Sequence, residues 1–367
     1  MPLFDAISPA LSRRALLMLA ALSAMPNARA LPPRTLAFPR DFGSHPELRT
    51  EWWYITGHAT SGTPSAPREF GFQVTFFRTR VDGTQSMRSS FAARQLVFAH
   101  AAVTDLQGRK LHHDQRIARA GFAIAQSSEQ DTDVRLRDWS LVRAKGERGA
   151  YDANVASGEF SLALHFTPTQ AVLLQGDAGL SRKGPDPAQA SYYYSEPQLQ
   201  TTGRIVLNGQ RFDIAKGTAW LDHEWSEALL HSDAVGWDWI GMNLDDGSAL
   251  TAFHLRRRDG TALWSGGSFR TGDGRLQVFG HDDVRFDAVG TAWVSPRTRA
   301  SYPTRWRVQT PAGAFEVRAL LDDQELDSRG STGAVYWEGV SDLLDPQGKR
   351  VGRGYLEMTG YQSALKM

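Results

Sequence analysis

Hydrophobic and polar residues alternate in short runs along most of the chain after residue 40. One run of aromatic and β-branched residues covers 70–77. Between such runs lie residue pairs that favour tight hairpin turns, namely Asp82-Gly83, Gln107-Gly108, Asn208-Gly209, Asp246-Gly247, Asp259-Gly260, Asp273-Gly274 and Gln347-Gly348. None of this sequence reads as a long amphipathic helix. The pattern therefore predicts an all-β protein built from antiparallel strands, of barrel or sandwich type.

Two motifs occur twice in the same order, which predicts two similar domains. An aromatic strand, a turn and a second strand occupy 52–78 and again 237–256. A Gly-x-x-aromatic-Leu-acid run occupies 217–222 and again 352–357. Because each half opens and closes in the same way, we expect an N-terminal β domain at 31–230 and a C-terminal β domain at 231–367.

The first 30 residues have the features of an export signal. Arg13 and Arg14 precede an apolar run that ends at Leu22 and is too short to span a bilayer. The run is followed by an Ala-x-Ala site at 28–30. The adjacent arginines favour a twin-arginine signal, although a Sec signal with two arginines has the same layout. Either signal predicts a mature protein that is periplasmic or secreted by a bacterium.

Composition excludes several functional classes. The 367 residues include 41 basic and 40 acidic ones and no Cys. A chain so close to neutral has no electrostatic footprint for nucleic acid, and without Cys there are no disulfides, thiolate metal sites or Cys nucleophiles. We interpret the His-His-Asp run at 112–114 as part of a surface turn. The zincin, P-loop, dinucleotide-binding and G-x-S-x-G motifs are absent, so we expect no metal, no cofactor and no stable membrane span.

Tryptophans and acids are concentrated between residues 217 and 239. Exposing Trp is costly, and burying Asp is costly unless the carboxyl group is paired or protonated. The cluster therefore predicts an enclosed, aromatic-lined cavity that contains one or two acids and binds an apolar small molecule. The candidates for catalysis are Asp222, His223 and Glu224, and the candidates for ligand binding are Trp220, Trp225, Trp237, Asp238, Trp239 and Tyr193.

Strand alternation places Asp222 and Glu224 on one face of a strand and His223 on the other. The two carboxyl groups either share a proton or pair with an arginine, Arg49 or Arg256, across the domain junction.

Alternation leaves the orientation of the next strand open. Asp238 lies between Trp237 and Trp239, so either the two indoles or the carboxyl group face the cavity. The tyrosines at 192–194 have a simpler interpretation as packing residues.

Six segments together resemble the AttH family of secreted bacterial proteins, which is related to carotenoid 1,2-hydratase (hydroxyneurosporene synthase). They are 49–54, 190–195, 219–226, 236–239, 323–326 and 336–339, and the resemblance covers 38–361. It implies two tandem lipocalin-like (calycin) barrels. It also implies addition of water to a double bond of an isoprenoid, while some family members are labelled secreted hydrolases.

The resemblance also implies a catalytic acid. In the hydratases the proposed acid is the Asp of an aromatic-x-Asp-His run, which falls here on Asp222. Protonating an alkene requires a carboxylic acid that keeps its proton near neutral pH, and burial beside aromatic groups has that effect. Aromatic faces would shield the resulting cation. Trp220 stands where the hydratases lead us to expect Tyr, so the hydroxyl group beside the acid is missing.

Three kinds of function are compatible with these features. The first is an acid-catalysed hydratase, isomerase or cyclase that acts on an apolar isoprenoid or lipid. The second is a non-catalytic periplasmic carrier for an apolar ligand, since a barrel can hold a ligand by shape alone. The third is an envelope or attachment component that binds no small ligand. An envelope-associated hydrolase is a further alternative.

Export predicts removal of the signal segment between Ala30 and Leu31. N-terminal sequencing of protein recovered from the periplasm should therefore begin at Leu31. Recovery of an uncleaved chain that starts at Met1 would contradict the prediction.

Overall fold

The computed structural model describes residues 30–63, 66–144, 146 and 149–365. The predicted signal segment therefore lies outside the described residues except for Ala30. Within the described part, the secondary structure is β-strand apart from two single 3₁₀ turns at Arg40–Phe42 and Asp82–Thr84. This confirms the predicted all-β fold class. No helix in the described ranges is long and apolar enough to cross a membrane.

The first sheet contains thirteen antiparallel strands and curls into a nearly closed barrel. Its central strands run in the order β4-β3-β2-β1-β13-β12-β9, followed by β8 to β5. The strands are β1 Thr50–Thr63, β2 Ala66–Arg80, β3 Gln95–Asp105, β4 Lys110–Arg119, β5 Ala125–Ser127, β6 Asp133–Leu136, β7 Trp139–Arg143, β8 Tyr151–Ala156, β9 Phe160–Thr167, β10 Leu173–Leu174, β11 Leu180–Arg182, β12 Ala190–Leu207 and β13 Gln210–Ala228.

The second sheet contains ten strands in the order β17-β16-β15-β14-β25-β24-β22-β21-β18, with β23 paired to β24. A separate pair, β19–β20, completes this half. The strands are β14 Gly236–Leu244, β15 Ala249–Arg256, β16 Ala262–Arg270, β17 Leu276–Phe279, β18 Arg285–Ala288, β19 Trp293–Val294, β20 Ser301–Tyr302, β21 Arg305–Thr310, β22 Gly313–Ala319, β23 Glu325–Ser328, β24 Ala334–Leu344 and β25 Arg350–Met358. The predicted domain boundary at 230 falls in the link between the two sheets and remains a prediction.

Each sheet has its own core, built by the alternation of its strands. In β1, Trp53 and Ile55 are buried inside the first barrel, so Trp52 and Tyr54 point outward. In β14, Ile240 belongs to the core of the second sheet. The outward faces of the central strands are also largely buried, because the two sheets pack against each other.

Both copies of the repeated motif have the same strand pairing. Strand β1 pairs with β2 and with β13, as β14 pairs with β15 and with β25. The interpretation of 112–114 as a surface turn is wrong, because these residues lie within β4 and pair with β3. His112 is buried there and its Nδ1 lies 2.6 Å from a carboxylate oxygen of Glu159. The segment is polar because its other residues are at least partly exposed, not because the chain turns.

A buried ionic network ties the N-terminal segment to the first barrel. The carboxylate of Glu51 accepts hydrogen bonds from Arg78 Nε at 2.8 Å and from the backbone N–H of His45 at 2.9 Å. Both imidazoles that face it, those of His45 and His223, lie within 3.0 Å. Burial alone would raise the pKa of Glu51, but the hydrogen bonds from the two histidines and the charge of Arg78 lower it well below its usual range.

Replacing Glu51 with Ala should lower the free energy of unfolding by about 3–5 kcal/mol, because Arg78 would remain buried without its carboxylate. Asp133→Ala is the matched control, since Asp133 forms a half-exposed pair with Arg135 worth about 0–1 kcal/mol. Urea denaturation measures both values. Equal, small losses in the two variants would show that the network does not stabilise the barrel.

Candidate functional site

A cavity of about 380 Å³ lies between the outward faces of the two sheets. It is lined by side chains from the central strands of both halves, so it is an inter-barrel cavity and not the interior of either barrel. Its aromatic lining comes from Trp52, Tyr54, Phe77, Phe98, Tyr193, Trp237, Trp239, Phe253 and Tyr336, and its acids are Asp222, Glu224, Glu338 and Glu357.

The repeated motif supplies aromatic residues to two opposing walls. Trp52 and Tyr54 come from β1, and Trp237 and Trp239 come from the equivalent strand β14. The rings of Tyr54 and Trp239 meet edge to face, with centroids 5.4 Å apart and planes at 87°. Edge-to-face contact is the favourable geometry for aromatic pairs. The aromatic side chains thus join the two sheets while leaving room for an apolar molecule.

Asp222 lies on the cavity wall and accepts three hydrogen bonds. Ser195 Oγ and Trp220 Nε1 donate to Oδ1 at 2.5 and 2.6 Å, and the hydroxyl of Tyr193 donates to Oδ2 at 2.7 Å. Burial raises the pKa of Asp222 to about 7, although these three bonds lower it. The nearby acid Glu224 adds to the increase. Asp222 thus exchanges its proton close to neutral pH.

Trp220 and Tyr193 position this acid. Trp220 is 1 % exposed and lies behind the cavity lining, where its indole N–H donates to Asp222. Tyr193 lines the cavity, and its hydroxyl also accepts a 3.3 Å hydrogen bond from Trp239 Nε1. Burial raises the pKa of Tyr193 well above its ordinary value, so the phenol stays neutral. Tyr193 therefore contributes to the site and is more than a packing residue.

Glu224 lines the same wall but has a basic partner. The ammonium group of Lys183 lies 2.9 Å from its carboxylate, and Ser191 donates a further hydrogen bond. This partner is neither Arg49 nor Arg256, which were the two arginines that sequence suggested. Lys183 comes from the segment after β11, and sequence gave no sign that this segment reaches the cavity.

His223 and Trp225 point into the first barrel and do not line the cavity. His223 contacts Glu51, and burial lowers its pKa to about 4 despite that carboxylate. Trp225 stacks on His45 with ring centroids 4.0 Å apart. The structure therefore separates these two residues from the candidates on the other face of β13, because alternation places them in the core.

Asp238 also points away from the cavity, which resolves the orientation that sequence left open. Its carboxylate lies 2.5 Å from His254 Nε2 and 2.8 Å from Arg256 Nε, and it accepts a hydrogen bond from Tyr361 at 2.9 Å. The two indoles on either side of Asp238 face the cavity instead. Asp238 is part of the packing of the second sheet.

Two acids that sequence reasoning missed lie in the cavity. Glu357 occupies the position in the second Gly-x-x-aromatic-Leu-acid run that Asp222 occupies in the first. Glu338 lies directly opposite Glu357 in the β24–β25 register. The internal repeat contained the signal for Glu357, whereas Glu338 requires knowledge of the strand pairing.

Three buried side chains, those of His45, Glu51 and His223, bring ligand atoms of the type that binds metals within 4.8 Å of one another. Glu51 is already engaged by Arg78, and Nε2 of His45 lies 3.0 Å from Asp41. A metal ion would have to displace these hydrogen bonds. The donor set therefore fits a structural network better than a metal centre.

The sequence profile of the AttH-like family matches residues 29–361. Among solved structures, an AttH protein of Nitrosomonas europaea is 46% identical, with a TM-score of 0.83 over 90% of this chain and 99% of the other. The kievitone hydratase of Nectria haematococca is 15% identical, with a TM-score of 0.69 over 93% and 95% of the two chains. CghA is 12% identical, with a TM-score of 0.53 over 91% and 95%.

Comparison with curated proteins gave no significant match. The two more distant structures show a shared fold, and the profile match covers most of the sequence. The chain therefore belongs to the AttH-like family and has its lipocalin-like fold.

Burial of Asp222 should make stability depend on pH in a defined direction. An acid whose pKa rises from about 4 when unfolded to about 7 when folded stabilises the folded protein below pH 4. This contribution declines as the pH rises toward 7, by about 1.4 kcal/mol per pH unit. Asp222→Asn should remove that slope. Urea denaturation of both proteins between pH 4 and 7 measures the difference, and parallel profiles would contradict a raised pKa.

Proposed function

We propose that the protein adds water to a C=C bond of an apolar isoprenoid or lipid, or moves that bond, with Asp222 as the proton donor. The observation that carries this proposal is a buried carboxyl group with a pKa near 7 on the wall of an aromatic-lined cavity. Acid catalysis is most effective when the pKa of the acid lies near the working pH. The relation in fold to a protein named as a hydratase supports the same chemistry.

In the protonated acid the proton lies on Oδ2, so the hydrogen bond that Tyr193 donates to the carboxylate is reversed and Asp222 donates to the phenol oxygen. Tyr193 can relay it, because its hydroxyl can accept this proton while donating its own to the ligand. The alkene π electrons form the new C–H bond and leave a tertiary carbocation. Trp237 and Trp239 line the cavity, and the faces of their indoles would stabilise this positive charge.

Water then completes the reaction. Its oxygen forms a bond to the cationic carbon, and the proton it loses returns to the Asp222 carboxylate, so the acid is regenerated. In the isomerisation branch the carboxylate instead removes a proton from a carbon next to the cation. Once Asp222 has lost its proton, Trp220, Ser195 and Tyr193 donate three hydrogen bonds that stabilise the transient carboxylate. Neither branch requires a cofactor.

The substrate class follows from the lining. Most of the cavity surface is aromatic or aliphatic, and its volume of about 380 Å³ falls in the range typical of small-molecule sites. We also propose that the protein acts after export to the periplasm, as its N-terminal segment indicates. A carrier would use the same cavity without turnover, so the experiment must separate binding from chemistry.

Asp222→Asn should lower turnover by at least about 100-fold, because the amide keeps the shape of the carboxyl group but cannot donate the proton. Incubation of the protein with acyclic isoprenoids in H₂¹⁸O, followed by mass spectrometry, measures the labelled alcohol that is formed. Asp213→Asn is the matched control, since Asp213 lies on the same strand with an exposed side chain.

Two results would count against this role. Full activity in the Asp222→Asn protein would assign the proton donor elsewhere. Binding of isoprenoids by the wild-type protein with no labelled or isomerised product would favour the carrier.

A further inference from the structure

The second sheet presents a counterpart of the Asp222 site to the same cavity. In the first half Ser195 lies directly opposite Asp222 on neighbouring strands, and in the second half Glu338 lies directly opposite Glu357. Both acids of the second half line the cavity. The internal repeat has therefore placed two related polar sites on two walls of one apolar space.

The two sites differ in how their polar atoms are satisfied. Asp222 accepts three hydrogen bonds, whereas neither carboxyl oxygen of Glu338 has a hydrogen-bond partner among the described residues. Glu338 is nevertheless 2 % exposed. In the same part of the structure, Oε1 of Gln73 is also buried without a partner, and the hydroxyl of Tyr54 forms no well-aligned hydrogen bond although it lies next to Glu338. Both of these side chains line the cavity.

Unsatisfied buried polar atoms destabilise a folded protein, so most buried polar groups in native structures are paired. Tyr54, Gln73 and Glu338 depart from this rule together, around one cavity. Such a group of open donors and acceptors is typical of a site whose remaining partner is a bound molecule. The hydroxyl of Tyr336 is already engaged by Gln73 and His100, which fixes the amide next to the open positions.

We propose that Tyr54, Gln73 and Glu338 form a second polar subsite, which binds the hydroxyl group of an otherwise apolar ligand. A hydroxyl group donates one hydrogen bond and accepts others, which matches an amide oxygen, a phenol and a carboxyl group. The ligand then spans the cavity between this subsite and Asp222. Only the placement of its double bond at Asp222 rests on the proposed function.

The acids favour a neutral head group over a charged one. Burial and the neighbouring Glu357 raise the pKa of Glu338 well above its ordinary value. Burial also raises the pKa of Glu357 to about 8. At neutral pH the pair is therefore mainly protonated and offers no ion pair to an ammonium group. A carboxylate or phosphate would lie beside these two acids. Of the two basic side chains that line the cavity, Lys183 is already engaged by Glu224, and Arg49 directly precedes β1.

The experiment compares three probes that share one ten-carbon isoprenoid skeleton. They are geraniol, the corresponding hydrocarbon 2,6-dimethyl-2,6-octadiene, and geranylamine. Quenching of tryptophan fluorescence reports binding, because Trp52, Trp237 and Trp239 line the cavity. The wild-type protein should bind the alcohol about tenfold more tightly than the hydrocarbon, the size expected from one or two additional hydrogen bonds.

Substitutions then test the named residues. Glu338→Met keeps a similar side-chain length but removes the polar atoms, and Tyr54→Phe removes only a hydroxyl group. Each should reduce or abolish the preference for the alcohol. Glu338→Met should also raise Tm by about 2 °C, because it removes a buried carboxyl group that has no partner. A purely structural role for Glu338 would lower Tm instead. Glu129→Met, at an exposed position, is the control.

Several outcomes would overturn the proposal. They are equal binding of alcohol and hydrocarbon by the wild-type protein, tighter binding of the amine than of the alcohol, and an unchanged preference in both variants. Asp222→Asn separates this inference from the proposed function. If that variant retains the preference for the alcohol, the subsite stands whether or not the wild-type protein proves to be an enzyme.

Discussion

The packing of two sheets against each other removes the outward faces of their central strands from water. Each of these strands already has one face in its own core, so polar residues on the other face are buried as well. A buried acid must be paired, hydrogen-bonded or protonated. Each of these three states occurs among the acids that line the cavity. Glu224 is paired with Lys183, Asp222 is held by three donors, and burial favours the protonated form of Glu338.

The same constraint explains why the two faces of one strand have different roles. On β13, His223 and Trp225 complete a network in which Glu51 neutralises Arg78. Asp222 and Glu224, which flank His223 in the sequence, point to the opposite face of β13 and form part of the cavity wall. The network holds β13 from inside the barrel, and the hydrogen bond from Tyr193 to Asp222 joins β12 to the other face of the same strand. A rigid supporting layer of this kind is what a proton-transfer site requires.

Sequence predicted the parts of this arrangement that depend on period and repetition. The alternating pattern predicted an all-β fold, and the separation of His223 from the acids beside it followed from strand alternation. The location of the cavity could not be predicted from the alternating pattern, because the pattern does not show which faces of the two sheets pack together. The sequence pattern also does not indicate which side chains from distant segments of the chain contact each other. Lys183 lies far from Glu224 in the chain, and the facing of Glu338 and Glu357 depends on the register of β24 with β25.

Among the residues that the structure describes, the chain passes from one sheet to the other only through the link between β13 and β14, which spans 229–235. Each wall of the cavity is therefore largely encoded by one uninterrupted stretch of sequence. In evolutionary terms the walls are modular. Recombination at this link between relatives would exchange the Glu338 wall as a unit while leaving the surroundings of Asp222 intact. A protein built in this way can change the wall that carries Glu338 without changing the residues around Asp222.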